Sequence, residues 1–345
     1  LASALAVGTC LFSREDVSRL RERFSSEYLV RSERETGQMP NGNGLEAQKI
    51  LFPRVPVNGT PSAAGKQGSG KSVHELETES KDSRENVPVL RQGISSSLLP
   101  SATDVGIGME FAKQLSFMGY NLILVARNRK ALKELADSLP TKCMIITCDL
   151  ASEDSCRTLA DKLKKYNIRI LINNAGFGDV GAFCETSLSK ELDMIDVNVK
   201  ATHILTKELL PGFIKRDCGY ILNVASSAGL LPGGPYMATY YATKAYVTSF
   251  TSAIYEELKD MKSNVHISAL CPGPVDTNFN ETANVIFALK GISAEYCAAY
   301  ALIKMFKKTL IIVPTFKMKA AILSAKLSPR KAALAITKHQ QRKKL

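Results

Sequence analysis

The chain has no run of about 18 consecutive apolar residues, so a membrane-spanning helix is not expected. It also has no CxxC pair. Its eight cysteines (Cys10, Cys143, Cys148, Cys156, Cys184, Cys218, Cys271 and Cys297) are scattered, which excludes a zinc-ribbon spacing, and no metal site is expected. A chain of 345 residues needs no disulfide staples either. Several of these cysteines lie in apolar runs, where a reduced Cys acts as a small hydrophobe, and a reducing, cytoplasmic setting is expected. Acidic residues are missing from one long stretch. Between Ile303 and Leu345 there are twelve Lys and Arg and no Asp or Glu. With those twelve set aside, 33 basic residues face 33 acidic ones, so the net charge of +12 is local to the tail. Such a block suits a solvated helical tail, or peripheral contact with an anionic membrane or an acidic partner. No nucleic-acid partner is expected.

What is present divides the sequence in two. Apolar residues make up 45% and charged residues 23%, ordinary for a globular chain. Residues 1–100 nevertheless read as an irregular, low-complexity extension, expected to be disordered. Their opening LASALAVGTCLF has no preceding Met or basic flank, and reads as the stub of a targeting segment or of a truncated reading frame. Helical spacing of Val17, Leu20 and Phe24 predicts a short helix over Glu15–Tyr28, followed from Gly37 by a Gly-, Ser-, Asn- and Pro-rich linker. Within that linker Gly65-Lys-Gln-Gly-Ser-Gly70-Lys71-Ser72 matches the P-loop pattern. A working P-loop needs a buried strand before it and a helix after it, and neither flank supplies one. A nucleotide hydrolase acting through Lys71 is therefore disfavoured.

From residue 101 apolar runs alternate with helical patterns, the signature of a parallel α/β sheet. Strands are expected at Asn121–Ala126, Cys143–Cys148, Arg169–Ile172, Tyr220–Val224, His266–Cys271 and Leu310–Val313. Helices are expected at Gly108–Met118, Lys130–Ser138, Glu153–Tyr166, Lys190–Leu210 and Tyr240–Leu258. Gly106-Ile107-Gly108 opens the first of these helices, where glycines let the backbone approach a pyrophosphate at the positive helix end. Arg127 follows the next strand, at the tip that faces the adenosine ribose. An acidic residue there would favour NAD, whereas Arg accommodates the 2′-phosphate of NADP. Further on, Tyr240 and Lys244 stand four apart on one helix face. A free phenol titrates at about 10, and an adjacent ammonium is expected to bring that value down.

Three more runs, Cys148-Asp149-Leu150, Asn173-Asn174-Ala175-Gly176 and Asn198 within Asp-Val-Asn-Val, together with Asn223-Val-Ala-Ser226 and Tyr240-x-x-x-Lys244, resemble the fingerprints of the classical short-chain dehydrogenase/reductase (SDR) family in order and spacing. The resemblance covers 101–345 and implies a Rossmann-type doubly wound parallel sheet of strand order 3-2-1-4-5-6-7. It implies that Tyr240 is the acid/base, Lys244 its tuner and ribose anchor, Ser226 the substrate-oxygen donor and Asn198 a proton relay. Asp149 would bind the adenine amino group; Asn174, Ala175 and Gly176 would line the cofactor; Pro272, Gly273 and Thr277 would wrap the nicotinamide. Counting back from Tyr240 points to Ser227 instead of Ser226, unless the Pro232–Pro235 loop holds one extra residue; Ser226 is the assignment adopted. NADPH is expected over NADH. The expected substrate is a small apolar carbonyl or alcohol on an acyl-, lipid- or steroid-like skeleton, from the apolar stretch 278–302. A homo-oligomer through the helices at 190–210 and 240–258 is implied by the same comparison.

One fingerprint departs from the family. Ala102 stands where the first glycine of the cofactor turn belongs, and Gly93–Pro100 before it is a poor central strand, because proline cannot donate to a ladder. Weakened cofactor binding is expected, and with it a rival reading as a cofactor-impaired scaffold at a membrane surface.

Overall fold

A computed structural model of the chain describes residues 5–9, by their backbone, 106–277 and 291–342. The helix expected at 15–28, the P-loop match at 65–72, Gly93–Pro100 and Ala102 lie outside the described residues. In chain order the elements are β1 (Leu5–Thr9), α1 (Ile107–Phe117), β2 (Asn121–Ala126), α2 (Arg129–Asp137), β3 (Cys143–Thr147), α3 (Glu153–Leu163), β4 (Ile170–Asn173) and α4 (Leu188–Ile195). A π-helical turn at Asp196–Ala201 leads into α5 (Thr202–Arg216), then β5 (Tyr220–Val224), a 3₁₀ turn at Ser227–Leu230, and α6 (Ala238–Asp260). After these come β6 (His266–Leu270), β7 (Val275–Asp276), β8 (Ile292–Ser293), α7 (Ala294–Phe306), β9 (Ile311–Ile312), α8 (Phe316–Leu327) and α9 (Arg330–Arg342).

The main sheet runs β3-β2-β1-β4-β5-β6-β9. The pairs β2–β3, β4–β5, β5–β6 and β6–β9 are parallel. Side chains leave a strand to opposite faces in turn, and both faces are buried. Leu122, Leu124, Ile170, Ile172 and Leu222 join α1, α2 and α7 in one core. Ile123, Val125, Leu171 and Ile221 join α3, α5 and α6 in the other. The helices start where short polar side chains cap them: Asn128, Ser152, Ser293 and Thr315 each accept a backbone N–H three residues on.

Four expectations need correction. The sheet is not wholly parallel. β1 fills the slot between β2 and β4 but runs antiparallel to both, with Leu5 opposite Val125 and Val7 opposite Leu171. Two buried parallel strands present rows of N–H and C=O groups that must be paired, and an apolar, proline-free run of five residues meets that demand in either direction. The extension at 1–100 is thus not irregular throughout, since Leu5–Thr9 is part of the sheet. The helix expected to end at Leu210 continues through Pro211 to Arg216, with the proline on the exposed side. Finally, much of the apolar stretch ascribed to substrate is core: Cys297, Ala298, Ala301 and Leu302 of α7 are buried against α1 and the sheet.

Candidate active site

The carboxyl ends of β2 to β6 and the start of α1 carry most of the expected site residues, the arrangement in which open α/β sheets bind ligands. α1 begins at Ile107 with Gly106 as its N-cap, a residue with no side chain to cap the first N–H groups. Among the described residues a Cβ at Gly106 would meet nothing within 4 Å. Gly108 is buried against the core. Arg127 follows β2 and is exposed; Asp149, also exposed, follows β3 and accepts a hydrogen bond from the Ala151 N–H (3.1 Å). After β4, Asn174 and Gly176 are half-buried and Ala175 is buried. Pro272 and Gly273 follow β6, and Thr277 follows β7.

The four expected catalytic residues converge. Tyr240 lies in the first turn of α6 and Lys244 one turn on, its ammonium 5.9 Å from the Tyr240 ring centre. Lys244 Nζ is buried and donates to the Val224 carbonyl (2.9 Å) at the end of β5. Ser226, two residues beyond, hydrogen-bonds the Tyr240 phenol and accepts from the Ala228 N–H (3.2 Å). Of the two candidate serines, Ser226 is the one bonded to Tyr240. Ser227 instead donates its backbone N–H to the Pro272 carbonyl (2.8 Å).

Asn198 sits in the π-helical turn, a local widening that aims a side chain off the regular helix face. Its Oδ1 accepts from the Phe177 N–H (3.0 Å), and its Nδ2 donates to the Phe177 carbonyl (2.9 Å) and to Thr243 Oγ1 (3.0 Å). Thr243 in turn donates to the Tyr240 carbonyl (2.8 Å). A Cβ on Gly176 would stand 2.9 Å from Asn198 Oδ1 and 3.0 Å from Lys244 Nζ, so only glycine leaves room where those two groups meet. Behind β4 and β5, Asn173 Nδ2 donates to Thr206 and Asn223, and Asn223 Nδ2 donates to Thr251, fixing the strands to α5 and α6.

Burial, not the neighbouring ammonium, governs the titration of this cluster. It pushes the Tyr240 phenol up to about 12, partly offset by the Ser226 hydrogen bond. It brings Lys244 down to about 8. The lowering of the phenol expected from the sequence is therefore reversed in the protein alone. The same desolvation acts on both groups, and it disfavours whichever form is charged. At neutral pH Tyr240 holds its proton, the state of a general acid.

Three contributors had no sequence expectation. Thr243 joins Asn198 to the Tyr240 backbone, and its place three residues after Tyr240 on one helix face was the available signal. Tyr241 packs with Ala228 and Met237, beside Val180, Leu231 and Tyr240. Gln341, in α9, donates to the Tyr241 hydroxyl (2.6 Å) across 100 residues of sequence, and no local pattern signals such a contact.

The residues present suit a nicotinamide dinucleotide: a helix start at a glycine with no neighbour within 4 Å among the described residues, an exposed Arg after β2, and a glycine wedge beside a buried ammonium.

The short chain dehydrogenase family model matches residues 102–285, more than half of the chain. The Very-long-chain 3-oxoacyl-CoA reductase of Laccaria bicolor is 35% identical over 182 residues, 50% of this chain and 53% of that protein. The Inactive hydroxysteroid dehydrogenase-like protein 1 of Homo sapiens is 30% identical over 197 residues, 55% of this chain and 58% of that one. The chain thus spans about half the length of the curated relatives it matches. Among solved structures, a short-chain dehydrogenase from Sphingobium yanoikuyae in complex with NADPH aligns with a TM-score of 0.57 at 25% identity, covering 66% of this chain and 93% of that one. Motif order, fold and family match agree, and the chain belongs to the short chain dehydrogenase family.

Proposed function

We propose that the chain is an NADP(H)-preferring oxidoreductase that interconverts a carbonyl and a secondary alcohol on an apolar, acyl-type substrate. The observation that carries this reading is the hydrogen bond between Ser226 and the protonated Tyr240 phenol, with the Lys244 ammonium behind them. Bound NADPH would supply a hydride at the carbonyl carbon. Tyr240 gives its phenolic proton to the carbonyl oxygen, so the C=O bond becomes CH–OH. Ser226 donates a hydrogen bond to that oxygen and stabilises the charge developing on it. Lys244 faces the phenolate left behind, and Asn198, whose Oδ1 lies 2.9 Å from where a Cβ on Gly176 would stand while Lys244 Nζ lies 3.0 Å from it, supports the relay that reprotonates the phenolate.

Arg127 supports the preference for NADP, and the neighbour from Sphingobium yanoikuyae is described with NADPH. The acyl class is supported by the name of the Laccaria bicolor relative and by the apolar side chains of Val180, Leu231 and Met237 beside Tyr240. A homo-oligomer is supported by exposed Leu188, Leu192 and Tyr246 on α4 and α6. Cytoplasmic placement with free thiols, and peripheral membrane contact through the acid-free segment 303–345, complete the reading. Among the described residues no helix is long and apolar enough to cross a membrane.

A second reading, a cofactor-impaired binding protein, is favoured by one observation. The slot between β2 and β4 is filled by an antiparallel strand, Leu5–Thr9, that is remote in sequence from the glycine turn before α1 and does not lead into it. The test is NADPH-dependent reduction of 3-oxoacyl-CoA thioesters of increasing chain length. Activity is expected to rise roughly threefold to fourfold per buried methylene until the site is filled. Cofactor binding with no turnover of any length would overturn the substrate assignment.

A further inference from the structure

The outer face of α8 carries Phe316, Leu323 and Leu327, exposed by 68%, 58% and 79%. At 3.6 residues per turn these three fall within about 40° of one another. They form a stripe, with Ala320 beside it, on the face that does not pack on the described core. The opposite face of the same helix is the seated one: Ile322 is buried among Val247, Ala269 and Cys271, and Met318 packs there too. The helix is thus apolar on both faces, and only one of them has a partner among the described residues. Lys317 lies on one side of the outer stripe, and Lys319 and Lys326 on the other. Arg330, Lys331 and Ile336 of α9 are exposed as well. No carboxylate occurs anywhere from 303 to 345.

We infer that this face of α8 is the element that inserts into an anionic lipid surface. The inference rests on the peripheral contact proposed above and names the residues that make it. Exposed apolar side chains flanked by lysines are what a bilayer interface selects: the stripe enters the acyl boundary while the lysine stems lie along it and their ammonium groups stay among the headgroups. A second copy of this chain is the poorer occupant. Two such faces would bring Lys326 and Arg330 toward their own copies, and the segment 303–345 holds no carboxylate to pair them. An acidic protein would answer the charge but leave the reason for the clustered leucines and Phe316 unstated.

The consequence for the site is positional. Met318, on the inner face of α8, reaches to within 2.7 Å of where a Cβ on Gly273 would stand, in the expected nicotinamide loop. Leu334 and Gln341 of α9 reach Gly233 and Tyr241. The helix that meets the bilayer is therefore packed directly on the catalytic loops, and a lipid-borne substrate would arrive beside them.

The chain has no Trp, so Leu323→Trp gives a fluorophore at one place only. Purified Leu323→Trp chain is mixed with vesicles of phosphatidylcholine alone or of phosphatidylcholine with phosphatidylserine. A blue-shifted, brighter emission with the anionic vesicles is expected. In co-sedimentation, the unsubstituted chain is expected to partition onto anionic vesicles at least about tenfold more than onto neutral ones, since each cation near the surface is worth roughly fivefold. Leu323→Asp/Leu327→Asp should lose most of that binding while keeping its circular dichroism and NADPH affinity. If the unsubstituted chain sediments with neither vesicle, the peripheral contact and this inference both fall. If it binds anionic vesicles and the double Asp variant binds equally, the contact stands and the assignment to α8 is wrong. Self-association through the stripe without vesicle binding would identify a second copy as the occupant and also overturn it.

Discussion

Replacing Tyr240 by Phe is expected to lower kcat/KM for carbonyl reduction by about 10²–10⁴-fold, the usual worth of a positioned general acid. NADPH affinity should be unchanged, because only the hydroxyl is removed and the ring keeps its place in α6. In the protein alone burial holds the phenol near 12, so it carries a transferable proton throughout the neutral range. Lys244, brought down to about 8, sets the alkaline side of the profile. Its ammonium stabilises the phenolate formed as the proton leaves. Reduction should therefore hold through neutral pH and fall as pH rises past about 8 and that charge is lost. Steady-state rates across pH for the wild type and the Phe variant check both parts. A Phe variant with activity within tenfold of wild type would remove Tyr240 from the mechanism.

The second large effect is expected at Gly229, in the 3₁₀ turn that follows Ser226. A Cβ there would stand 2.3 Å from the Lys244 carbonyl oxygen and 2.6 Å from Thr248 Oγ1. The closest obstacle is backbone of α6, which cannot turn aside as a side-chain tip can. Gly229→Ala is expected to destabilise the fold by about 1–3 kcal/mol, the ordinary cost of overpacking. Relief of the clash must also part the Ser226 turn from the helix that bears Tyr240 and Lys244. Activity below the melting transition should therefore fall by roughly a hundredfold, as displacements near 1 Å do. Urea denaturation with parallel kinetics separates the two effects. Gly106→Ala is the stability control, since among the described residues nothing lies within 4 Å of its added methyl. A Gly229→Ala protein as stable and as active as wild type would show that the turn does not sit against α6 in this way.

Much of this architecture is legible in the sequence. The runs at Asn121–Ala126, Tyr220–Val224 and His266–Leu270 are apolar on both faces, as strands between two layers of helices must be. The glycines at 106 and 108 marked a helix start, and Tyr240 and Lys244 were placed on one helix face by their spacing alone. What escaped the sequence depends on distant partners. A five-residue strand such as Leu5–Thr9 carries no record of its pairing direction, which the flanking strands and the path of the chain decide. The apolar residues of α7 look alike whether they line a substrate or pack on α1. The sign of the Tyr240 shift follows from burial, which no local pattern states. The contact from Gln341 to Tyr241 joins residues 100 apart, and the outward stripe on α8 becomes visible only once Met318 and Ile322 are seen to face inward.

With β1 antiparallel in the middle of its sheet, this chain is still expected to hold a nicotinamide dinucleotide against Ser226, Tyr240 and Lys244. The measurement is a titration with NADPH and NADH, followed by nicotinamide fluorescence, with Arg127→Ala alongside. Saturable binding of NADPH in preference to NADH is predicted, with the preference lost in the Ala variant as the partner of the 2′-phosphate is removed. Absence of saturable binding by either dinucleotide would contradict that expectation and leave the cofactor-impaired binding protein as the reading of this fold.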